Sequence, residues 1–148
     1  MSNTTHPFKY MPAPLFTDPY ADEWTAPFWE AALRGQLTAP KCAECGTFRL
    51  PPSRWCAACH AQGLEYVDLP GTGTLYSFII VRHALTPDQK EYVPYIPAVV
   101  SADGVSGNAR FVANLVNVEP EDVQIGMKLK VTWNEVSATL ALPFWTID

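Results

Sequence analysis

Residues 42–59 read CAECGTFRLPPSRWCAAC. Two Cys-x-x-Cys pairs, Cys42 with Cys45 and Cys56 with Cys59, stand ten residues apart and are the only cysteines of the chain. Each pair can form a tight knuckle that turns two thiolates toward one ion, and two knuckles complete a tetrahedron with Zn–S bonds of about 2.3 Å. Gly46 directly follows the first pair, where a knuckle turn often needs a positive φ. Four thiolates leave no coordination position for water, so the expected ion is a structural zinc. A redox iron of the rubredoxin type is the alternative, and nothing in the sequence points to an electron partner.

Other candidates for chemistry are few. The histidines are His6, His60 and His83. His83 beside Arg82 reads as an exposed strand-end pair before it reads as a catalyst. Asp and Glu are scattered, without a paired-carboxylate pattern. With every thiol assigned to metal, no nucleophile or positioned base is visible, and no catalytic residue is expected. Residues 41–60 carry Lys41, Arg49 and Arg54 against Glu44 alone. That local basic patch reads either as ordinary solvated charge or as a seat for the phosphates of a small ligand.

The whole chain bounds these options. It has 148 residues, 48% apolar and 17% charged, with a net charge of −5. This is a globular composition, and its acidity argues against non-specific binding to nucleic acid or to an anionic membrane surface. No apolar run approaches the roughly 18 residues of a membrane span. The first residues, MSNTTHPFKYMPAPLF, lack the pattern of a secretory signal. A cytoplasmic protein with reduced thiols is expected.

The elements that must position the cysteines follow from local pattern. Residues 1–24 are aromatic and Pro-rich without a period, and read as an extended arm docked on another surface. TAPFWEAALRG (25–35) predicts a short helix capped by Thr25, with Pro27 in its first turn and Gly35 as its stop. QLTAPKC and GTFRLPP predict a short hairpin around the metal. Strand signals follow at 74–83, apolar on both faces, and at 96–103, 109–118, 128–133 and 138–145. Over 128–133 the alternation is clear, with Leu129, Val131 and Trp133 inward. Five or six strands in so short a span suit a Greek-key, OB-like barrel.

Taken in order, these segments resemble the DUF35 family. The resemblance rests on Cys42-x-x-Cys45-Gly46 and Cys56-x-x-Cys59, on RLPPSRWC with Pro51, Pro52 and Arg54 and an inserted Ser53, and on GTGTLYSFIIV, PYIPAVV and VQIGMKLKV. It covers residues 25–145. It implies a mainly β protein with a short N-terminal helix, a rubredoxin-like zinc ribbon and an OB-fold barrel. The corresponding divisions are an arm and helix (1–36), the ribbon (37–63) and the OB-fold domain (64–148). It also implies a non-catalytic small subunit of an acyl-CoA enzyme. The larger partner would be a thiolase-superfamily enzyme: a thiolase, an acyltransferase, or an aldolase cleaving a CoA ester. The alternative partner is a hot-dog-fold enoyl-CoA hydratase. The small-ligand reading of Lys41, Arg49 and Arg54 then becomes CoA binding through its phosphates.

A hetero-oligomer also explains the aromatic excess at the chain's ends. Trp24, Phe28, Trp29, Phe144 and Trp145 are the expected partner interface, because large aromatics concentrate at protein contacts. A more distant reading is an OB-fold nucleic-acid module with Tyr76, Phe78 and Phe111 as base-stacking surfaces.

Overall fold

A computed structural model of the chain describes residues 7–14 and 19–148. His6 and Phe16 lie outside the described residues. Among the described residues the elements are one α-helix, two short 3-10 helices (Pro87–Tyr92 and Pro120–Asp122), a two-stranded sheet and a five-stranded closed barrel.

Helix α1 spans Ala26–Ala32. Thr25 precedes it but does not cap it: its backbone is already helical and its hydroxyl donates backward to Asp22 Oδ1 at 2.8 Å. The same Asp22 oxygen accepts the Thr25 amide at 2.8 Å, and Asp22 O accepts the Ala26 amide. Asp22 therefore organises the entry turn that was expected of Thr25. Gly35, at φ 68°, ends the helix. Its amide donates to Ala32 O and the Gln36 amide reaches Ala31 O, a Schellman closure that needs the left-handed residue.

Strand β1 (Thr38–Cys42) pairs antiparallel with β2 (Leu64–Asp68), from Thr38 opposite Asp68 to Cys42 opposite Leu64. The predicted hairpin is present only as one bridge, Lys41 with Phe48, plus the Arg49 amide on Pro40 O. The main partner of β1 is the more distant β2, because residues 43–63 are taken up by the knuckles.

The barrel runs β3 (Thr72–Phe78), β4 (Ile96–Ala102), β5 (Phe111–Leu115), β7 (Leu140–Ile147) and β6 (Lys128–Ser137), closing back on β3. All pairs are antiparallel except β5 with β7, which is parallel and joins Asn114 to Phe144 and Leu115 to Trp145. Along β4 burial alternates, with Ile96, Ala98, Val100 and Ala102 inside, as a period of two demands. The 74–83 segment departs from expectation. β3 stops at Phe78, and Tyr76 and Ile79 face outward, since a barrel strand has only one inner face. Gly73 permits the β3–β4 approach: a Cβ there would lie 2.7 Å from Ser101 O.

The core is shared between the two sheets. Leu37 and Ala39, next to and within β1, join Leu75, Ile96, Val100, Leu115, Leu129 and Trp145 in one cluster, and the Leu69 amide donates to Leu37 O. Part of the arm lies on this chain's own barrel. The Lys9 amide donates to Asn117 Oδ1 at 2.9 Å, the Asn117 amide donates to Lys9 O at 3.0 Å, and Phe8 packs edge-on against Phe144. The Lys9 ammonium and the Tyr10 hydroxyl both reach the Glu119 carboxylate.

Candidate metal centre and its surroundings

The two knuckles bring the four cysteines together. All four Sγ atoms lie within 4.8 Å of one another, with Cys42 and Cys59 at 3.6 Å and Cys45 and Cys56 at 3.6 Å. A tetrahedral ion with bonds of about 2.3 Å requires sulfur–sulfur edges of about 3.8 Å, so the donor set fits zinc. Cys42 and Cys56 are buried, while Cys45 and Cys59 face solvent. Backbone hydrogen bonds repeat in both knuckles: the Cys42 amide on Thr47 O and the Cys56 amide on Ala61 O.

The thiols do not share one acidity. Thr47, whose hydroxyl oxygen is 3.2 Å from Cys45 Sγ, helps bring the Cys45 thiol down to about 6. The Cys59 and Ala58 amides lower that of Cys56. The Ala61 amide lowers the Cys59 thiol, but Cys45, burial, Cys42 and Cys56 together push it up to about 12. Four thiolates at this spacing repel one another, and a divalent cation relieves that repulsion.

The three basic residues of the patch have separate fates. Arg49 is 5% exposed. Its guanidinium donates to Ser53 O at 2.7 Å, to Gln62 O at 3.3 Å and to Gly63 O. It ties together the loops that carry the two knuckles, so the expectation that it faces a phosphate is corrected. Lys41 bridges to Glu65 at 3.1 Å across the β1–β2 pair. Arg54 is exposed beside the Trp55 ring and has no carboxylate partner among the described residues. It lines an open hollow of about 610 Å³ with Glu23, Trp24, Gln62 and Tyr66. The Tyr66 hydroxyl donates to Trp24 O at 2.6 Å, and burial, with Asp22 nearby, pushes its pKa up to about 12.

The aromatic positions also separate. Trp24, Phe28 and Trp29 are half-buried. Phe144 is 5% exposed under Phe8, and Trp145 is 1% exposed beside Phe111. Phe144 and Trp145 spend their apolar surface inside this chain, which corrects the expectation that they meet a partner. Phe111 is buried and Phe78 is half-buried. Tyr76 is 53% exposed, but the Arg110 guanidinium sits 3.7 Å from its ring centroid. These three rings therefore do not form a base-stacking platform. Arg82 pairs with Glu121 at 2.9 Å, and His83 lines a hollow with Val81, Tyr92, Tyr95 and arm residues Pro12–Pro14. The sequence had no local signal for Arg110, and Asn117 and Glu119 were equally silent as arm anchors.

Comparison with known proteins matches this architecture. The profile of the ChsH2 rubredoxin-like zinc ribbon domain matches residues 29–65, and that of the ChsH2 C-terminal OB-fold domain matches residues 66–134. The solved structure of an Ltp2–ChsH2(DUF35) aldolase contains a chain with a TM-score of 0.75 and 32% identity, covering 88% of this chain and 98% of that one. A Thermomonospora curvata protein named "Probable enoyl-CoA hydratase alpha subunit" is 36% identical over 117 residues, 78% of this chain and 35% of that protein. The chain thus spans about a third of that relative's length. A "DUF35 domain-containing scaffold protein" of Methanocaldococcus jannaschii is 29% identical over 68% of this chain and 69% of its own length. Among the described residues no helix is long and apolar enough to cross a membrane.

Proposed function

Because this chain belongs to the DUF35 family of ChsH2-type zinc ribbon and OB-fold proteins, we propose that it is the non-catalytic scaffold subunit of an acyl-CoA enzyme. The favoured partner is a larger thiolase-superfamily subunit that makes or breaks a carbon–carbon bond at a CoA ester. The observation that carries this reading is the match over nearly the full length of a chain in an aldolase assembly. The distribution of reactive groups supports it. Among the described residues the four thiols form one cluster of metal-ligand spacing, and the ion pairs Lys9–Glu119, Lys41–Glu65 and Arg82–Glu121 lie apart from it or bridge strands at the surface.

Cys42, Cys45, Cys56 and Cys59 would hold one zinc ion, which cross-links the ribbon and offers no open position for substrate. Arg54, exposed beside Trp55 and lining an open hollow, would be the ribbon's contact for a CoA phosphate. The 36% identity to a hydratase alpha subunit supports the second reading, a hydratase partner.

Co-expression with each candidate subunit tests the proposal. One stable complex is expected, with turnover of a CoA ester in the complex and none by this chain alone. A monomer that turns over a CoA ester by itself would overturn it.

A further inference from the structure

One strand edge of the barrel is incomplete. Among the described residues β7 pairs with β5 only at Asn114 and Leu115. The strands diverge before that point, so Phe111–Ala113 carry β4 on one side and no strand on the other. That edge opens into an apolar cleft. One part, about 290 Å³, lies between Phe28 and Trp29 of α1, the β5 edge, and Leu142 and Pro143 of β7. It continues past Val112 into a second part of about 270 Å³, walled by Pro51 and Pro52. Val112 stands 77% exposed at the junction.

Arg110 lines the second part of the cleft. Its guanidinium is stacked on Tyr76 and fixed by Nε to Ser101 Oγ at 3.2 Å and Nη1 to Asn108 O at 3.2 Å. No carboxylate pairs with it among the described residues. A cation immobilised at an apolar cleft, on a protein of net charge −5, has lost its conformational entropy before any anion arrives. That is the condition under which a charge-assisted contact adds most to binding.

From the open edge, the cleft and the unpaired cation, we infer that β5 is a docking strand for an extended segment of a partner protein. The segment places an apolar side chain in the cleft and an Asp or Glu on Arg110. Three residues of open edge span about 10 Å, which suits a short strand added in the β-augmentation mode. A small amphiphilic acid would use the cleft and the arginine and leave the backbone edge idle. The inference rests on the scaffold reading for the identity of the partner, while its chemistry stands on β5 itself.

The test uses the full zinc-loaded chain, labelled for amide NMR, and the peptide Ac-Thr-Val-Tyr-Val-Asp-Thr-amide. Expected are shifts centred on residues 111–113, with binding weakened at least about tenfold by an Asn-for-Asp peptide or by Arg110→Gln. Val112→Asp is expected to abolish binding, and Ile125→Asp, at another exposed apolar position, to leave it unchanged. Equal binding of the Asp and Asn peptides, shifts away from β5, or displacement of the peptide by octanoate would overturn the inference.

In the co-expressed complex, Val112→Asp and Arg110→Gln are expected to lower partner retention while Ile125→Asp does not. If the wild type retains a partner and both variants do so equally, this inference fails and the scaffold reading stands. If no partner is retained, the scaffold reading fails and the peptide titration alone decides the docking strand.

Discussion

Gly46 and His60 occupy equivalent places in the two knuckles. The Gly46 amide donates to Cys42 O at 2.9 Å and the His60 amide to Cys56 O at 2.9 Å. Both residues are left-handed, at φ 75° and 64°. Glycine holds that conformation at no steric cost, whereas a residue with a Cβ is penalised there by roughly 1–2 kcal/mol. Replacing His60 by Gly is therefore expected to stabilise the ribbon by about 0.5–1 kcal/mol, after allowing for the added freedom of the unfolded chain. Gly46→Ala is expected to destabilise by about 1 kcal/mol. Denaturant titrations of the metal-loaded protein measure both, and a destabilising His60→Gly would show that its side chain has another role.

Metal analysis of the purified protein is expected to give one zinc per chain. Chelation, Cys42→Ser or Cys56→Ser is expected to unfold the ribbon, since the binding energy of the ion is folding energy for so small a unit. Circular dichroism during chelator titration follows it. Full retention of structure without metal would contradict the prediction.

Arg49 and Arg54 are separable by experiment. Removing the Arg49 guanidinium leaves Ser53, Gln62 and Gly63 carbonyls without their donor. Arg49→Gln is expected to cost about 3 kcal/mol of stability. Arg54→Gln, on the surface, is expected to change stability by less than about 0.5 kcal/mol. It should weaken CoA retention by the assembled complex. Thermal melts and CoA titration read the two effects, and a stable Arg49→Gln protein would contradict the structural role.

One contact of the arm is expected to respond to pH. Hydrogen bonds from Lys9 and Tyr10 hold the Glu119 carboxyl below its ordinary range. The same Glu119 raises Lys9 above its usual value. A lowered carboxyl pKa gives stabilisation that is present above its ordinary value, near 4.5, and lost as pH falls through the depressed one. A raised lysine pKa gives stabilisation present below about 10.5 and lost as pH rises through the raised value. The arm should be held most firmly between these limits and loosen on acidification, while the Lys9–Asn117 hydrogen bonds and the Phe8–Phe144 contact, which do not titrate, stay in place. Amide exchange at Lys9 and Asn117 measures this, and Glu119→Gln should mimic the acid state at neutral pH.

Gly73→Ala tests the β3–β4 contact. The added Cβ meets Ser101 O at 2.7 Å and Ala102 Cα at 3.1 Å, both backbone atoms of the paired strand. A loss of about 1–3 kcal/mol is expected, read by denaturant unfolding. Gly107, with nothing within 4 Å, lacks that crowding, although its φ of 74° penalises any side chain there.

Much of the architecture was legible because its signals are local. The cysteine spacing announces knuckles, and the alternation over 128–133 announces the half-buried strand β6. What escaped depends on contacts remote in sequence. Arg49 reads as a surface cation until residues 53, 62 and 63 close around it. Phe144 and Trp145 read as surplus aromatics until the parallel pairing with β5, thirty residues earlier, draws them inward. The Arg110–Tyr76 stack crosses from β3 to the start of β5 and leaves no pattern in either segment. Thr25 looked like a cap because the residue type is right, but Asp22 had already taken its hydroxyl.

The place of β7 between β5 and β6 sets a schedule for synthesis. The ribbon needs only residues up to Asp68 to pair β1 with β2 and gather its four thiols. The barrel cannot close until β7 has left the ribosome. At roughly 5–20 residues per second, the interval across residues 69–147 is on the order of 4–16 s. Until then Leu37 and Ala39 lack the barrel residues that cover them in the folded chain, and β5 lacks its partner at Asn114 and Leu115. Slower passage through residues 69–147 is expected to lengthen the time that apolar face waits, and zinc supply to decide whether the ribbon that carries it is cross-linked.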